Sequence, residues 1–574
     1  MSLRDRGKDI RKKGKKGALV SDVRYQLSSQ KRPVFGAVEV CLAEGPDCWY
    51  HTPIMQKSLS AILAVINAVE VAGPDEAEIS GITYDSRRVK PGWIFCALPG
   101  IHTDGLRFAG DAVDRGAAAV LYEKGELQRR PGTSYIRVRR VREAMSKAAA
   151  TLNDYPSLEI PVIGVTGTDG KSTTVYFTHQ LLQACGIANG FLSTVAVMAG
   201  DSIEINPFRQ STPEAPEIHD ILRQMIDHGK RLAVVEATSH GLSRRTARLA
   251  DVGFAAAVLT NITHEHLEFH GNFEQYRDDK ANLFRAIDSH KSGFGVVNAD
   301  DPGGAYCAGV TRRPVFSYSI SGNHANLRAM RPRQDSESIT VDVAVGDRIV
   351  TDVRLNTPGL FNVENLLAST LAAAGSLATI DGAEPSVAAV NGMAAELLRS
   401  APALHPVKGR LAPVRGGQPF SVMVDYAHTP GAFAKVLPMM RTGLKGRMIV
   451  VFGSGGERDM AKRPLQGRAA CENADIVLLA DEDPRGEAPM EILEQIAAGC
   501  QGRRRGEDLF LIPNRREAIR KAFSLARPGD LVLLLGKGHE YSIIYESGPI
   551  RWDEEEEAWA ALGEMGYGPV RTEN

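Results

Sequence analysis

The chain offers no pairing pattern for its cysteines. All seven (Cys41, Cys48, Cys96, Cys185, Cys307, Cys471 and Cys500) are scattered through 574 residues, and none forms a CxxC pair. That excludes a disulfide framework and a thiolate zinc site, and reads as reduced thiols in a cytoplasmic protein. Long apolar runs are missing too. The longest, such as residues 531–535, suit buried strands and fall far short of the about 20 residues that span a bilayer, so no membrane insertion is expected. Charge of one sign is also missing. A formal net charge of -1 gives no general attraction to nucleic acid. What is present is ordinary globular composition, 43% hydrophobic and 24% charged, in a length that suggests about three or four domains.

Residues 1–54 stand apart. From Met1 to Arg32 there are eleven Lys/Arg against three Asp/Glu and few apolar residues, the composition of a solvated, disordered extension. The apolar core of a targeting segment is lacking. Met55 offers a second candidate start of translation, and an amphipathic segment follows over 56–71. A first domain is expected over 55–157, with strands at 93–98 and 117–121. A second, over 158–406, opens with a strand at 160–165 and continues with strands at 232–235, 255–259 and 295–297. A third, over 407–574, has strands at 422–424, 448–452, 476–479 and 531–535. Strands spaced by helices imply α/β folding on parallel, doubly wound sheets.

Gly164-Val-Thr-Gly167-Thr-Asp-Gly170-Lys171-Ser172-Thr173 follows one of these strands and precedes a helix. Its glycines let backbone N–H groups turn toward phosphate oxygens, and the helix start adds partial positive charge. Lys171 can reach terminal phosphates, and the Ser172 hydroxyl suits Mg²⁺. The spacing is GxxGxxGK[ST]; Val165 stands where the strict GxxxxGK[ST] motif has its first glycine. Glu236, closing the apolar run Leu232-Ala-Val-Val-Glu236, is an acid at a strand end beside that loop, well placed for Mg²⁺. Thr260-Asn-Ile-Thr-His-Glu-His266-Leu-Glu-Phe-His270 concentrates three histidines and two glutamates. Its spacing fits no common zinc pattern, which leaves a metal-side loop or a solvated polar loop.

Thr166-Gly-Thr-Asp-Gly-Lys-Ser-Thr173 resembles the TGTNGKTT loop of the Mur ligase family, with Asp169 for the usual Asn and Ser172 for the usual Thr. The 260–271 segment, followed by Tyr276 and Lys280, is similar to the TNxxxDHLDYHG stretch and later lysine of MurE-type ligases. Asp425-Tyr-Ala-His428-Thr-Pro430, Gly-Gly-Glu-Arg458-Asp459 and Gly536-Lys537-Gly-His-Glu540 resemble further family segments in the same order. The resemblance runs from residue 55 to about 560. It implies a three-domain Mur ligase architecture: an N-terminal domain for a UDP-substrate, a central P-loop ATPase domain on a parallel sheet, and a Rossmann-like C-terminal acceptor domain.

The resemblance also implies site residues. ATP would lie against Gly167, Thr168, Asp169, Gly170, Lys171, Ser172 and Thr173, with Asn298 on the adenine side, Arg410 at the phosphates, and Asp425 and His428 at the ribose. Mg²⁺ would be held by Ser172, Glu236, His266 and a carbamylated Lys280, because CO₂ turns a cationic amine into an anionic oxygen donor. Lys171, Glu236, His266 and Lys280 would form the catalytic set. Tyr84, Ser86, Ile101, His102 and Thr103 would hold the uridine end of UDP-MurNAc-L-Ala-D-Glu. Gln210, Ser211, Thr212 and Thr238 would face its peptide end, with Arg244, Arg245 or Arg248 replacing the family arginine that is Thr246 here. The free diamino acid would meet Arg458, Glu482, Asp483, Pro484, Arg485, Gly536 and Glu540.

The implied reaction moves the terminal phosphoryl group of ATP to a carboxylate, and an amine then displaces phosphate from the acyl-phosphate. In enzymes adding meso-diaminopimelate, residues 482–485 read DNPR. Arg485 keeps the grip on a distal carboxylate, while Asp483 adds an anion that favours an amine. Diaminopimelate is favoured, with ornithine, lysine or another diamino acid open. A monomer is expected. The alternatives are a folylpolyglutamate synthase-like ligase or divergent Mur paralogue, and a non-catalytic ATP-binding scaffold. The uridine-side segments argue against the folate version, and the retained Lys171, Glu236, His266 and Lys280 argue against the scaffold.

Overall fold

The computed structural model describes residues 56–568, apart from 101–103, 209, 264, 266 and the side chains of 267 and 268. The 1–54 extension, Met55, Ile101, His102, Thr103 and His266 therefore lie outside the described residues. Three larger sheets of five, eleven and six strands organise what remains. The architecture is α/β with mainly parallel sheets, as the alternation of strands and helices along the chain implies.

The N-terminal sheet runs Ala68–Ala72, Ser134–Val138, Ala119–Tyr122, Trp93–Cys96, Gly81–Thr83, parallel except at the first pair. The amphipathic expectation over 56–71 is only partly met. Ser58 caps a helix at Leu59–Leu63, which buries Leu59 and Ile62, but Ala68–Ala72 is an edge strand. Val69 and Val71 alternate with Glu70, a period of two that wins once Ser134–Val138 supplies a pairing partner. Glu70 then pairs with Arg129 and Arg137.

In the central sheet the strands Val162–Thr166, Leu232–Glu236 and Ala256–Leu259 lie side by side and parallel, apolar because helices cover both faces. Their register sets up the site. Val165 pairs with Glu236 and Thr166 with Leu259, so the phosphate loop, Glu236 and Thr260 all leave the same sheet edge. At the far side Leu327–Gln334, Ile339–Val345 and Arg348–Leu355 add an antiparallel meander that sequence reasoning does not foresee. In the C-terminal sheet Ser421–Asp425 and Leu531–Leu535 are parallel neighbours, with Asp425 level with Leu535. This brings the Asp425 turn beside Gly536, whose N–H donates to the Asp425 carbonyl at 3.1 Å. Among the described residues, Cys96, Cys185, Cys307, Cys471 and Cys500 are free, and no helix is long and apolar enough to cross a membrane.

Candidate active site

The phosphate loop is held from below by its neighbours. Thr168 N–H donates to the Asn261 carbonyl at 2.8 Å, Asp169 N–H to Asn261 Oδ1 at 2.9 Å, and Thr260 Oγ1 to the Asp169 carbonyl at 2.6 Å. Gly170 sits at φ +83°, and a Cβ there would lie 2.3 Å from Asn365 Oδ1. Only glycine satisfies both the left-handed backbone and that contact. Helix Lys171–Ala184 begins at once, aiming its unpaired N–H groups at the loop. Asn365, on the helix Leu360–Thr379, also accepts from Thr174 Oγ1. Asn298 donates to the Thr260 carbonyl at 3.2 Å and to Glu364 at 3.3 Å.

Two oxygen donors meet on one side of this loop. Ser172 Oγ donates to Glu236 Oε2 at 2.8 Å, and Thr194 supplies both its N–H and its hydroxyl to the same carboxylate, each at 2.9 Å. Glu236 is 1% exposed. A hydroxyl and a carboxylate at a strand end are the hard donors that Mg²⁺ takes. Among the described residues no group of three His, Cys, Asp or Glu side chains converges.

On the other side stand two lysines. Lys171 Nζ donates to the Thr168 carbonyl at 2.7 Å and Lys280 Nζ to the Gly167 carbonyl at 2.6 Å, so both ammonium groups touch consecutive residues of one loop. Lys280, on the helix Phe273–Ala286, is 1% exposed, and its Nζ lies 4.6 Å from the Tyr276 ring centre. Burial, aided by the nearby Lys171 charge, pushes Lys280 well below the usual lysine range; Glu265, Cys307 and Glu236 oppose this. Tyr276 is fixed by a 2.9 Å hydrogen bond between its hydroxyl and Thr168 Oγ1.

Thr212 and Thr238 are anchored to Glu236. Thr212 Oγ1 donates to the Glu236 carbonyl at 2.8 Å, and Thr238 N–H and Oγ1 donate to Thr212 Oγ1. Gln210 is exposed and Ser211 half-buried nearby. Of the three candidate arginines, Arg248 reaches this group, donating to the Thr212 carbonyl at 3.0 Å and pairing with Glu214. Arg244 and Arg245 instead line a cavity of about 620 Å³, with Ser243, His270, Asp278 and Arg285. In the N-terminal sheet domain Ser86 is buried and Tyr84 half-buried; Tyr84 hydrogen-bonds Glu217 of the central helix Ala215–Asp227.

A third cluster gathers on the C-terminal sheet. Glu482 is buried at a strand end, with Oε2 unbonded and pointing to Gly536, where a Cβ would come within 2.8 Å of it. Burial raises the Glu482 carboxyl above its usual range, and His428, Lys462 and Lys537 pull it back. Lys537 Nζ donates to Asp483 at 2.9 Å and to Glu540 at 2.6 Å, and Tyr426 reaches Glu540 at 3.3 Å. Arg485 lies 3.7 Å from Asp483, with a left-handed backbone tied by its N–H to the Ile544 carbonyl; its Nε is buried without a partner. Asp425 is already engaged, accepting from Leu411 and Ala427 N–H. Arg410 stacks 4.9 Å over Tyr426. His428 Nδ1 lies 2.9 Å from the Tyr426 carbonyl. Arg458 is exposed and stands apart from this cluster's hydrogen bonds; Pro484 passes its backbone against Gly456.

Sequence reasoning misses several members. Thr194 carries no motif; it reaches Glu236 from the loop after a neighbouring strand. Lys435, on the helix Pro430–Arg441, pairs with Asp169 at 2.7 Å and links the phosphate loop to the C-terminal sheet domain. Lys537 lies inside a quoted motif and could have been found there.

Comparisons with known proteins match most of the chain. Family models described as "Mur ligase family, catalytic domain", "Mur ligase middle domain" and "Mur ligase, glutamate ligase domain" match residues 78–153, 165–373 and 409–538. A UDP-N-acetylmuramyl-tripeptide synthetase of Treponema denticola is 44% identical over 528 residues, covering 87% of this chain and 96% of that protein. A UDP-N-acetylmuramoyl-L-alanyl-D-glutamate–2,6-diaminopimelate ligase of Caldanaerobacter subterraneus is 33% identical over 487 residues, covering 85% and 95%. A solved structure of a ligase with that second name superposes with a TM-score of 0.61 at 28% identity, over 89% of this chain and 100% of that one.

Proposed function

The chain belongs to the Mur ligase family of ATP-dependent amide ligases, and from that premise we propose that it adds a diamino acid to UDP-MurNAc-L-Ala-D-Glu in peptidoglycan precursor synthesis. The observation that carries the reading is the meeting of Lys171, Lys280, Ser172 and Glu236 around one phosphate loop. Bound Mg²⁺ would neutralise the phosphates and so let an anionic carboxylate approach them.

The chain's own groups divide the remaining work. Lys171 and the N-terminus of its helix favour the negative charge of the phosphates. Ser172 and Glu236 offer oxygens to Mg²⁺, with His266 as a further ligand. Lys280, whose burial holds its amine well below the usual lysine range, is the kind of group that combines with CO₂ to give an anionic carbamate. The 620 Å³ cavity with Arg244, Arg245 and Arg285 suits an anionic peptide-bearing substrate, and Arg248 secures the threonines beside it. The uridine end is assigned to the segments around Tyr84, Ser86 and 101–103. Glu482, Asp483, Arg485, Gly536 and Glu540 present carboxylates and one guanidinium to the amino acid. The reaction then depends mainly on placing charged reactants together and keeping water out.

Arg485 favours diaminopimelate, whose second carboxylate it would grip. A second reading, a diamino acid ending in an ammonium alone, is favoured by Asp483, which lies against Arg485 and adds a negative charge there. The deciding experiment incubates the full chain with UDP-MurNAc-L-Ala-D-Glu, ATP, Mg²⁺ and each of diaminopimelate, ornithine and lysine, and weighs the products. The reading predicts ADP release that requires both the nucleotide-sugar peptide and one diamino acid. ADP release independent of either substrate refutes it.

A further inference from the structure

Three histidines in the 260–270 segment stand out, yet the ligase reading uses only one of them. His270 is the one whose surroundings are fully built. Its side chain is inaccessible to solvent, with Nδ1 2.8 Å from Asp279 Oδ2 and Nε2 3.0 Å from Ser239 Oγ. Asp279 and Ser239 are buried as well. Gln275 occupies the second Asp279 oxygen at 3.2 Å. The rings of Phe269, Tyr276 and His240 pack against the imidazole edge-on, at 4.7, 5.1 and 5.4 Å. An Nδ1–H that donates to the Asp279 carboxyl and an Nε2 that accepts from the Ser239 hydroxyl use every polar atom of the ring.

Three polar groups buried this way cost free energy unless each is paired, and a paired set has one geometry. The two ends of the set matter. Asp279 is the residue before Lys280 on the helix Phe273–Ala286. Ser239 follows Thr238, which is bonded through Thr212 to the Glu236 carbonyl. The imidazole therefore spans the gap between the strand end that carries Glu236 and the helix that carries Lys280. Asn282 of the same helix adds a second directional bond, donating to the Leu242 carbonyl at 3.1 Å at the far end of the helix Ser239–Leu242; apolar packing tolerates small slides, and directional bonds do not.

We propose that His270 is a positioning residue: through Asp279 and Ser239 it fixes the spacing between Lys280 and Glu236, the two arms that present oxygens to Mg²⁺. The inference rests on the carbamate reading of Lys280. Groups that orient metal-holding residues are worth about 10–100-fold in affinity or activity.

The test follows the Lys280 carbamate carbon by NMR after equilibrating the full chain with Mg²⁺ and isotopically labelled bicarbonate. Wild type, Ser239→Ala, His270→Ala and His270→Gln are compared, with kcat, KM for ATP and melting temperature measured alongside. Ser239→Ala removes one hydroxyl and keeps the fold. Both alanine variants should lose the labelled carbamate signal and about 10–100-fold in kcat while KM for ATP holds. His270→Gln, whose amide reaches toward Ser239, should recover part of kcat. Carbamate and kcat of wild-type size in both alanine variants overturn the proposal. So do losses that merely follow a lowered melting temperature in Ser239→Ala. A wild type that shows no labelled carbamate overturns the carbamate reading itself, and the positioning role with it.

Discussion

Replacing Glu217 by glutamine should raise thermal stability, and by more as pH rises. Glu217 lies on the helix Ala215–Asp227, at the packing of that helix against Val141–Leu152 of the N-terminal sheet domain. It is 4% exposed. Burial raises its carboxyl from the ordinary 4.5 to about 7; Tyr84 and Arg88 oppose the rise, and Glu214 adds to it. That displacement corresponds to about 3 kcal/mol of preference for the neutral acid. The sign follows from proton counting. Below about pH 4.5 folded and unfolded chains both hold the proton. Between there and about pH 7 the folded chain keeps a proton that the unfolded chain releases, so stability falls as pH rises. Above about pH 7 both are ionised and the full penalty stays. Glutamine cannot ionise, so the melting temperature of Glu217→Gln minus wild type should be near zero at about pH 4 and reach of the order of 5–10 °C at about pH 8. Glu217 also helps hold the Asp220 carboxyl up, so Asp220 titrates lower in the variant and adds to the same rise in stability with pH. Circular dichroism melts across this range provide the measurement. A difference that stays flat, or shrinks as pH rises, refutes the burial argument.

Two further outcomes concern the site. Gly170→Ala forces a left-handed alanine, at about 1–2 kcal/mol, and drives a methyl group toward Asn365; nucleotide titration should show about tenfold weaker ATP binding by a protein with wild-type circular dichroism. Asp483→Asn removes the anion beside Arg485; in a competition between diaminopimelate and ornithine read by mass, the product ratio should swing toward diaminopimelate by about tenfold, and an unmoved ratio denies Asp483 a part in selection.

How legible the molecule is in its sequence depends on distance along the chain. The phosphate loop is legible because strand, glycines, lysine and serine are consecutive and each has a local physical reason. Glu236 is legible as an acid ending an apolar strand. The edge strand Ala68–Ala72 is not, because its alternation is short and overlaps a helical pattern, and the partner that decides it, Ser134–Val138, lies far along the chain. The same holds for Thr194, which meets Glu236 across adjoining strand ends, and for the meander over 327–355, whose strands pair only once the parallel sheet exists to extend. The choice of Arg248 over Arg244 beside Thr212 depends on a short turn after the helix Ser239–Leu242, which no spacing rule resolves.

The ion pair between Asp169 and Lys435 is solvent-facing on both sides. A contact of that kind contributes at most about 1 kcal/mol, which biases two populations by roughly fivefold. It is thus a catch that thermal motion releases readily, and that dissolved salt loosens further. Turnover that requires the phosphate loop and the helix Pro430–Arg441 to part and rejoin on every cycle meets no sizeable obstacle from this contact.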